Sequence, residues 1–179
     1  MLTQLNAENF KSWQNIGEMG LASVTGLFGT NSSGKTSILQ LILMLKQTIE
    51  SANRKQIIDF GSEDSYVNLG NYRDIIYNHE GMRNLNIALT WELAEPIEVY
   101  NYEISSERLF KVNKLTFQLT IALNLSLIVQ EFNYSFFDQG KTYKFGMKRQ
   151  AAEEYQLVAE GYPMKAITED QDIFLPRVC

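Results

Sequence analysis

Residues 26–39, GLFGTNSSGKTSIL, constrain this chain more than any other stretch. Gly29, Gly34, Lys35 and Thr36 fill the spacing G-x-x-x-x-G-K-[ST]. Ahead of them, LASVTGLF at 21–28 is small, β-branched and apolar, bounded by Gly20 and Gly29, and predicts a strand. Behind them, KTSILQLILMLKQTIESANRK predicts a helix. Its apolar positions at 38, 39, 41–45 and 49 nearly surround the first turns, so a largely buried helix is expected. Strand, glycine loop and helix in that order form the context in which such a loop cradles phosphate.

Each position has a physical job. Gly29 lets the chain turn sharply out of the strand, and Gly34 lets backbone approach a ligand without a Cβ in the way. The amides of Ser32, Ser33, Gly34, Lys35 and Thr36 are expected to converge on the ligand, helped by the positive end of the helix dipole. Lys35 supplies a cation for the β- and γ-phosphates and is the candidate catalytic residue. The Thr36 hydroxyl is the candidate Mg²⁺ ligand, and Ser37 lies beside the α-phosphate. Thr30 and Asn31 complete the expected binding loop. The expectation is Mg-nucleotide binding, with ATP and Mg²⁺ as the expected cofactors.

The rest of the chain changes style. Residues 1–10 read as a strand and KSWQNIGEMG as a turn-rich connection. A short strand is expected at 65–69, and a helical turn or two in NYRDIIYN. From Leu85 onward the pattern has period two: LNIALTWEL, then FQLTIALNLSLIV read as one thirteen-residue strand. The phase slips near Glu131, which predicts a bulge. DQGK at 138–141 reads as a hairpin turn, TYKFGM as the returning strand and YQLVAEGY as one more. This is an antiparallel meander with one wet face.

Composition narrows the class. The 179 residues suffice for one domain with a proper core. A net charge of -5 argues against a broad basic nucleic-acid footprint. Lys141, Lys144, Lys148 and Arg149 are expected to be a solvated face. The single cysteine, Cys179, allows no disulfide within the chain, and neither a secretory signal nor an apolar run of membrane-spanning length is present, so a cytoplasmic protein is expected. His79 in IIYNHEG reads as a polar loop residue. Asp59, Glu63 and Asp64 form no spaced catalytic set, and Glu153, Glu154 and Glu160 read as surface carboxylates.

LTQLNAENFKSW followed by GTNSSGKTSIL resembles the opening of ABC-type ATPases of the SMC, RecF and OLD group, where a strand ending in Asn-Phe-Lys-Ser precedes a loop of the form G-x-N-x-S-G-K-[ST]. Asn31 and Ser33 match that finer pattern. VNLGNYRDIIYNHE resembles a segment of bacterial AAA-type ATPases in this group, several of them in anti-phage defence systems. The resemblance is specific over 1–40, looser over 66–80, and fades after 85.

The resemblance implies an α/β fold: the N-terminal lobe of a P-loop NTPase, ABC-ATPase-like, with an appended antiparallel β-subdomain. Residues 1–60 would be the phosphate-loop core, 61–160 the mainly antiparallel subdomain and 161–179 the start of a further segment. Lys11 and Ser12 would lie near base and ribose, or serve simply as turn residues. The group also needs a Walker B strand ending in Asp-Glu and an LSGGQ-like signature donated across a dimer. The nearest candidate for the first, LSLIVQE, has Gln130 and Glu131 and reads as an ordinary strand of the meander. The expectation is therefore the N-terminal part of a longer ATPase, working as a homodimer or larger assembly, with an effector protein as a further partner, nucleic acid unsupported by net charge, and no membrane. The alternatives are a small P-loop metabolite kinase, which would need a parallel sheet, and a non-catalytic interaction module.

Overall fold

The computed structural model of the chain describes residues 1–53, 55–80, 82–101, 107–123, 126–151 and 154–162. The chain opens with β1 (Leu2–Phe10), β2 (Trp13–Asn15) and β3 (Met19–Gly20), and the glycine loop then leads into α1 (Lys35–Glu50). A short α2 (Tyr72–Ile75) and a turn at Tyr77–His79 follow. The meander comprises β4 (Leu85–Tyr100), β5 (Arg108–Leu123), β6 (Leu127–Asp138), β7 (Lys141–Ala151) and β8 (Glu154–Glu160).

These strands form one eight-stranded sheet in the order β2-β1-β4-β5-β6-β7-β8, with β3 also on β1. Every described pairing is antiparallel. The fold is thus a mostly antiparallel sheet with few helices. Because β1 pairs directly with β4, the loop-bearing half and the meander share one sheet.

Residues paired across strands share a face, and this sorts the sheet into two sides. Ala7, Ile87, Leu119, Phe132 and Met147 lie in one row. The adjacent row, on the opposite face, is Glu8, Asn86, Thr120, Glu131 and Lys148. The apolar side receives α1: Ile38, Leu41 and Met44 cluster with Leu5, Ala7, Ile87 and Ile121. The opposite side stays polar, as the period-two pattern requires.

The bulge falls where the phase slips. Thr120 pairs with Glu131 but Ile121 with Val129, so Gln130 is the extra residue. The hairpin at 138–141 is also present, with Gln139 and Gly140 at φ 48° and 79°, both in the left-handed region.

Several expectations give way. The thirteen-residue strand is a hairpin: Leu123 pairs with Leu127 and Ile121 with Val129, so the two halves of the run pair with each other. Folding back keeps all four residues on the same face, which is why period two could not tell a strand from a hairpin. Residues 21–28 form no strand: after the Leu21 amide bonds the Thr3 carbonyl of β1, no described strand pairs with them. Residues 65–69 also form no strand. Turn and side-chain bonds hold them instead: Leu69 donates its amide to the Phe60 carbonyl (2.8 Å) and Val67 to Gln47 Oε1 (3.2 Å), while Gln47 Nε2 donates to the Asp59 carbonyl (2.8 Å). The turn-rich connection after β1 folds back on it as β2 and β3. Nor is α1 buried all round: Ile38, Leu41, Met44 and Gln47 are covered, while Leu39 and Ile49 are 53% and 60% exposed. Most of the segment expected at 161–179, with Cys179, lies outside the described residues.

Tyr72 ties α2 under the sheet. Its hydroxyl lies 2.9 Å from the Arg83 carbonyl and 3.1 Å from the Ile121 carbonyl, and accepts the amide of the fully buried Leu85 at 3.2 Å. Desolvation by burial pushes this phenol above its ordinary pKa. Tyr72→Phe strands that buried amide, and the expected cost is about 1–3 kcal/mol in urea unfolding with an unchanged m-value. A loss below the error of the extrapolation contradicts the assignment.

Candidate functional site

The loop is shaped by left-handed backbone. Gly29, Ser32 and Gly34 have φ of 151°, 63° and 82°. The last is the residue before α1. Ser32 carries a Cβ in this region, where glycine is favoured, so the loop holds local strain. The Lys35 ammonium closes the bend by donating to the Gly29 carbonyl (2.9 Å), the Thr30 carbonyl (2.6 Å) and Ser33 Oγ (3.2 Å). The Ser33 amide reaches the Thr30 carbonyl at 3.4 Å. The amides of Ser32, Gly34, Lys35 and Thr36 donate to no other described residue. Free amides at the mouth of a helix, with a lysine beside them, form an anion-binding arrangement.

The segment after β1 passes behind this mouth. Trp13 Nε1 donates to the Gly34 carbonyl at 3.0 Å, and Ser12 Oγ lies 3.3 Å from Ser37 Oγ. Lys11, at φ 50°, donates its ammonium to Gln40 Oε1 at 2.7 Å and its amide to the Ile75 carbonyl at 2.6 Å. Burial lowers the Lys11 ammonium below the usual lysine range, with the Asp74 carboxylate opposing the shift. A Cβ on Gly34 would lie 2.4 Å from Trp13 Nε1 and 2.6 Å from Ser12 Oγ. Glycine at 34 is therefore required twice, by its backbone angle and by its neighbours.

The structure brings Lys11 and Ser12 against the first turns of α1, together with Gly34, Lys35 and Ser37. Thr36 and Asn31 are exposed, and neither side chain bonds to another described residue, which leaves the Thr36 hydroxyl available for a cation. Sequence reading missed Trp13 and Gln40. The only available signal for Trp13 was an aromatic directly after Lys11 and Ser12 in a segment otherwise read as turn.

The other candidates lie apart. Glu131 belongs to the sheet face opposite α1, where its carboxylate pairs with Lys144 (3.2 Å) and Lys148 (3.7 Å). Those two lysines are thus partly neutralised rather than part of a bare basic patch. His79 is exposed, with Nδ1 3.0 Å from the Arg73 carbonyl. Asp59 accepts the Gly61 amide at 2.9 Å and shapes a turn. Glu154 and Glu160 are exposed, and Glu153 lies outside the described residues. No group of three or more His, Cys, Asp or Glu able to hold a metal occurs among the described residues. No helix there is long and apolar enough to cross a membrane.

A glycine loop with free amides, a lysine folded across it and a helix behind it defines the nucleotide-binding class of P-loop proteins. The sequence profile of the family described as AAA ATPase domain matches residues 1–170, and the chain belongs to that family. It is a nucleotide-binding ATPase domain, and ATPases of this family bind ATP and Mg²⁺. Comparison with curated proteins gives no match.

Gly34→Ala tests the cradle's construction. The added methyl meets the indole and must hold a left-handed φ, so a loss of about 1–3 kcal/mol of stability is expected by chemical unfolding. Unchanged stability would mean that residue 34 does not hold this backbone.

Proposed function

We propose that the chain is the nucleotide-binding lobe of an SMC/RecF/OLD-like ATPase, with residues Gly29 to Ser37 holding the phosphates. The observation that carries this reading is the loop itself: left-handed bends at Gly29, Ser32 and Gly34, four free amides and the Lys35 ammonium at its mouth. Lys35 exchanges its carbonyl partners for phosphate oxygens, and the exposed Thr36 hydroxyl is the ligand for Mg²⁺. The ion, when bound, offsets the charge that develops on the phosphates. Ser37 and Ser12 sit beside the same mouth, and Lys11 one helical turn further along.

In this reading hydrolysis needs a carboxylate strand and a partner's signature segment. What supports it is a set of apolar side chains left open on the approach to the loop and along α1. Val24 and Phe28, leading into the loop, are 90% and 95% exposed. Leu39 and Ile49 on α1 are also open. A strand of the same ATPase core, carrying the carboxylates, is the element whose burial these residues suit. Closure of two lobes over nucleotide then drives an effector, in DNA maintenance or phage defence by the resemblance over 1–40 and 66–80. The metabolite-kinase reading requires a parallel sheet, and every described strand pair is antiparallel.

Titration with a fluorescent ATP analogue and Mg²⁺ tests the binding step. Lys35→Ala removes a charge-assisted contact, so affinity is expected to fall about tenfold or more. Because Lys35 bonds only within the loop, stability should move by less than about 0.5 kcal/mol. Equal affinity in both forms excludes the lysine's role. Brisk hydrolysis by the monomeric chain alone would overturn the need for a partner.

A further inference from the structure

The Gly34 carbonyl accepts three donors. As the first acceptor of α1 it receives the Ser37 amide at 3.1 Å and the Ile38 amide at 3.4 Å. The Trp13 indole adds a third at 3.0 Å, the shortest of the set, from outside the helix. The donor is itself held. Lys11 bonds the Ile75 carbonyl through its amide, Phe10 forms a bridge with Ile76, and the Trp13 ring packs on the buried core. Residues 11–13 therefore form a fixed strap behind the loop, anchored by α2 on one side and by α1 on the other.

A trans peptide points its C=O and the following N–H in opposite directions. The Gly34 carbonyl and the Lys35 amide belong to one such plane. A bond that fixes the carbonyl toward Trp13 fixes the amide away from it, toward the loop's open side. Without the indole, only the helix's own longer bonds would hold that plane, at a residue whose left-handed φ is intrinsically permissive.

We propose that Trp13 is a positioning residue of the glycine loop: its indole N–H, by holding the Gly34 carbonyl, aims the Lys35 amide at the bound phosphate. This rests on the nucleotide-binding reading above and adds a role for a residue outside the glycine motif. Trp13 touches no phosphate itself. It acts through one peptide plane, and the Ser12 hydroxyl beside Ser37 closes the same wall.

The test uses the ¹⁵N-labelled chain and its Trp13→Phe variant, which keeps an aromatic ring and removes the donor. The chain has two tryptophans, Trp13 and Trp91, so two indole resonances serve as probe and internal control. Titration of the wild type with Mg-ATP should move the Trp13 indole resonance and leave that of Trp91 in place. In Trp13→Phe without nucleotide, the Lys35 amide resonance should already be displaced, with the unfolding midpoint within about 4 °C of wild type. Affinity for Mg-ATP should fall about fivefold, the worth of one neutral hydrogen bond. A variant that binds as tightly as wild type, with the Lys35 amide unmoved, overturns the inference and leaves the nucleotide-binding reading standing. A wild type that binds no Mg-ATP overturns both. Should the variant fail to fold, the wild-type titration decides: a Trp13 indole unmoved at saturation refutes the role, and a moved one upholds it.

Discussion

The seating of one stripe of α1 on the sheet is the interaction on which the rest depends. Ile38, Leu41 and Met44 are spaced to face one way, and they meet Leu5, Ala7 and Ile87. Most of a protein helix's stability comes from packing its apolar face rather than from propensity, so this contact holds the sixteen-residue α1 in place. The consequence reaches the loop directly, because α1 starts at Lys35. Fully burying three such side chains is worth about 1.5–3 kcal/mol each before entropy is subtracted. That gross sum exceeds what the hydrogen bonds around Gly34 supply, so packing sets the position of the helix start and hydrogen bonding sets its orientation.

The glycine motif was legible because its chemistry is local. Gly29 and Gly34 adopt the left-handed angles their identity allows, and Lys35 folds back within six residues of sequence. The meander was legible because alternation is the direct imprint of a sheet with one dry face, and even the slip at Gln130 appears in the pattern as a change of phase. What failed was whatever depends on a partner distant in sequence. Alternation alone does not say which residues pair: Ile121 and Val129 look the same in one long strand as in two paired ones. Trp13 bonds a carbonyl 21 residues away, and nothing in the composition of KSWQN announces that.

The strand expected at 21–28 is the most instructive miss. Its residue types favour extended backbone, yet extended backbone becomes a strand only when a neighbour takes up its amides and carbonyls. In this chain β3 stops at Gly20, where it pairs with Gln4, and Leu21 makes one last bond to the Thr3 carbonyl at 2.8 Å. Beyond that, no described strand lies alongside. The same reasoning explains the helix. A nearly all-round apolar sequence has more than one face to cover, and the antiparallel sheet covers only one of them.

Magnitudes show what these uncovered faces mean for the proposed function. Val24 and Phe28 would each contribute about 1.5–3 kcal/mol on full burial, and the already half-covered Leu39 and Ile49 roughly half as much each, a gross total comparable with the net stability of a small domain. Residues 24 and 28 run straight into the loop, and Leu39 follows Lys35 by little more than one helical turn. An element that buries them would pack beside the phosphate-binding amides and stiffen a loop whose own bonds are few. Coupling in the proposed ATPase then has a physical basis that needs no long pathway: residues 24, 28 and 39, which a carboxylate-bearing element would cover, lie within a few residues of the loop that would hold the phosphates, and occupancy of either favours the other.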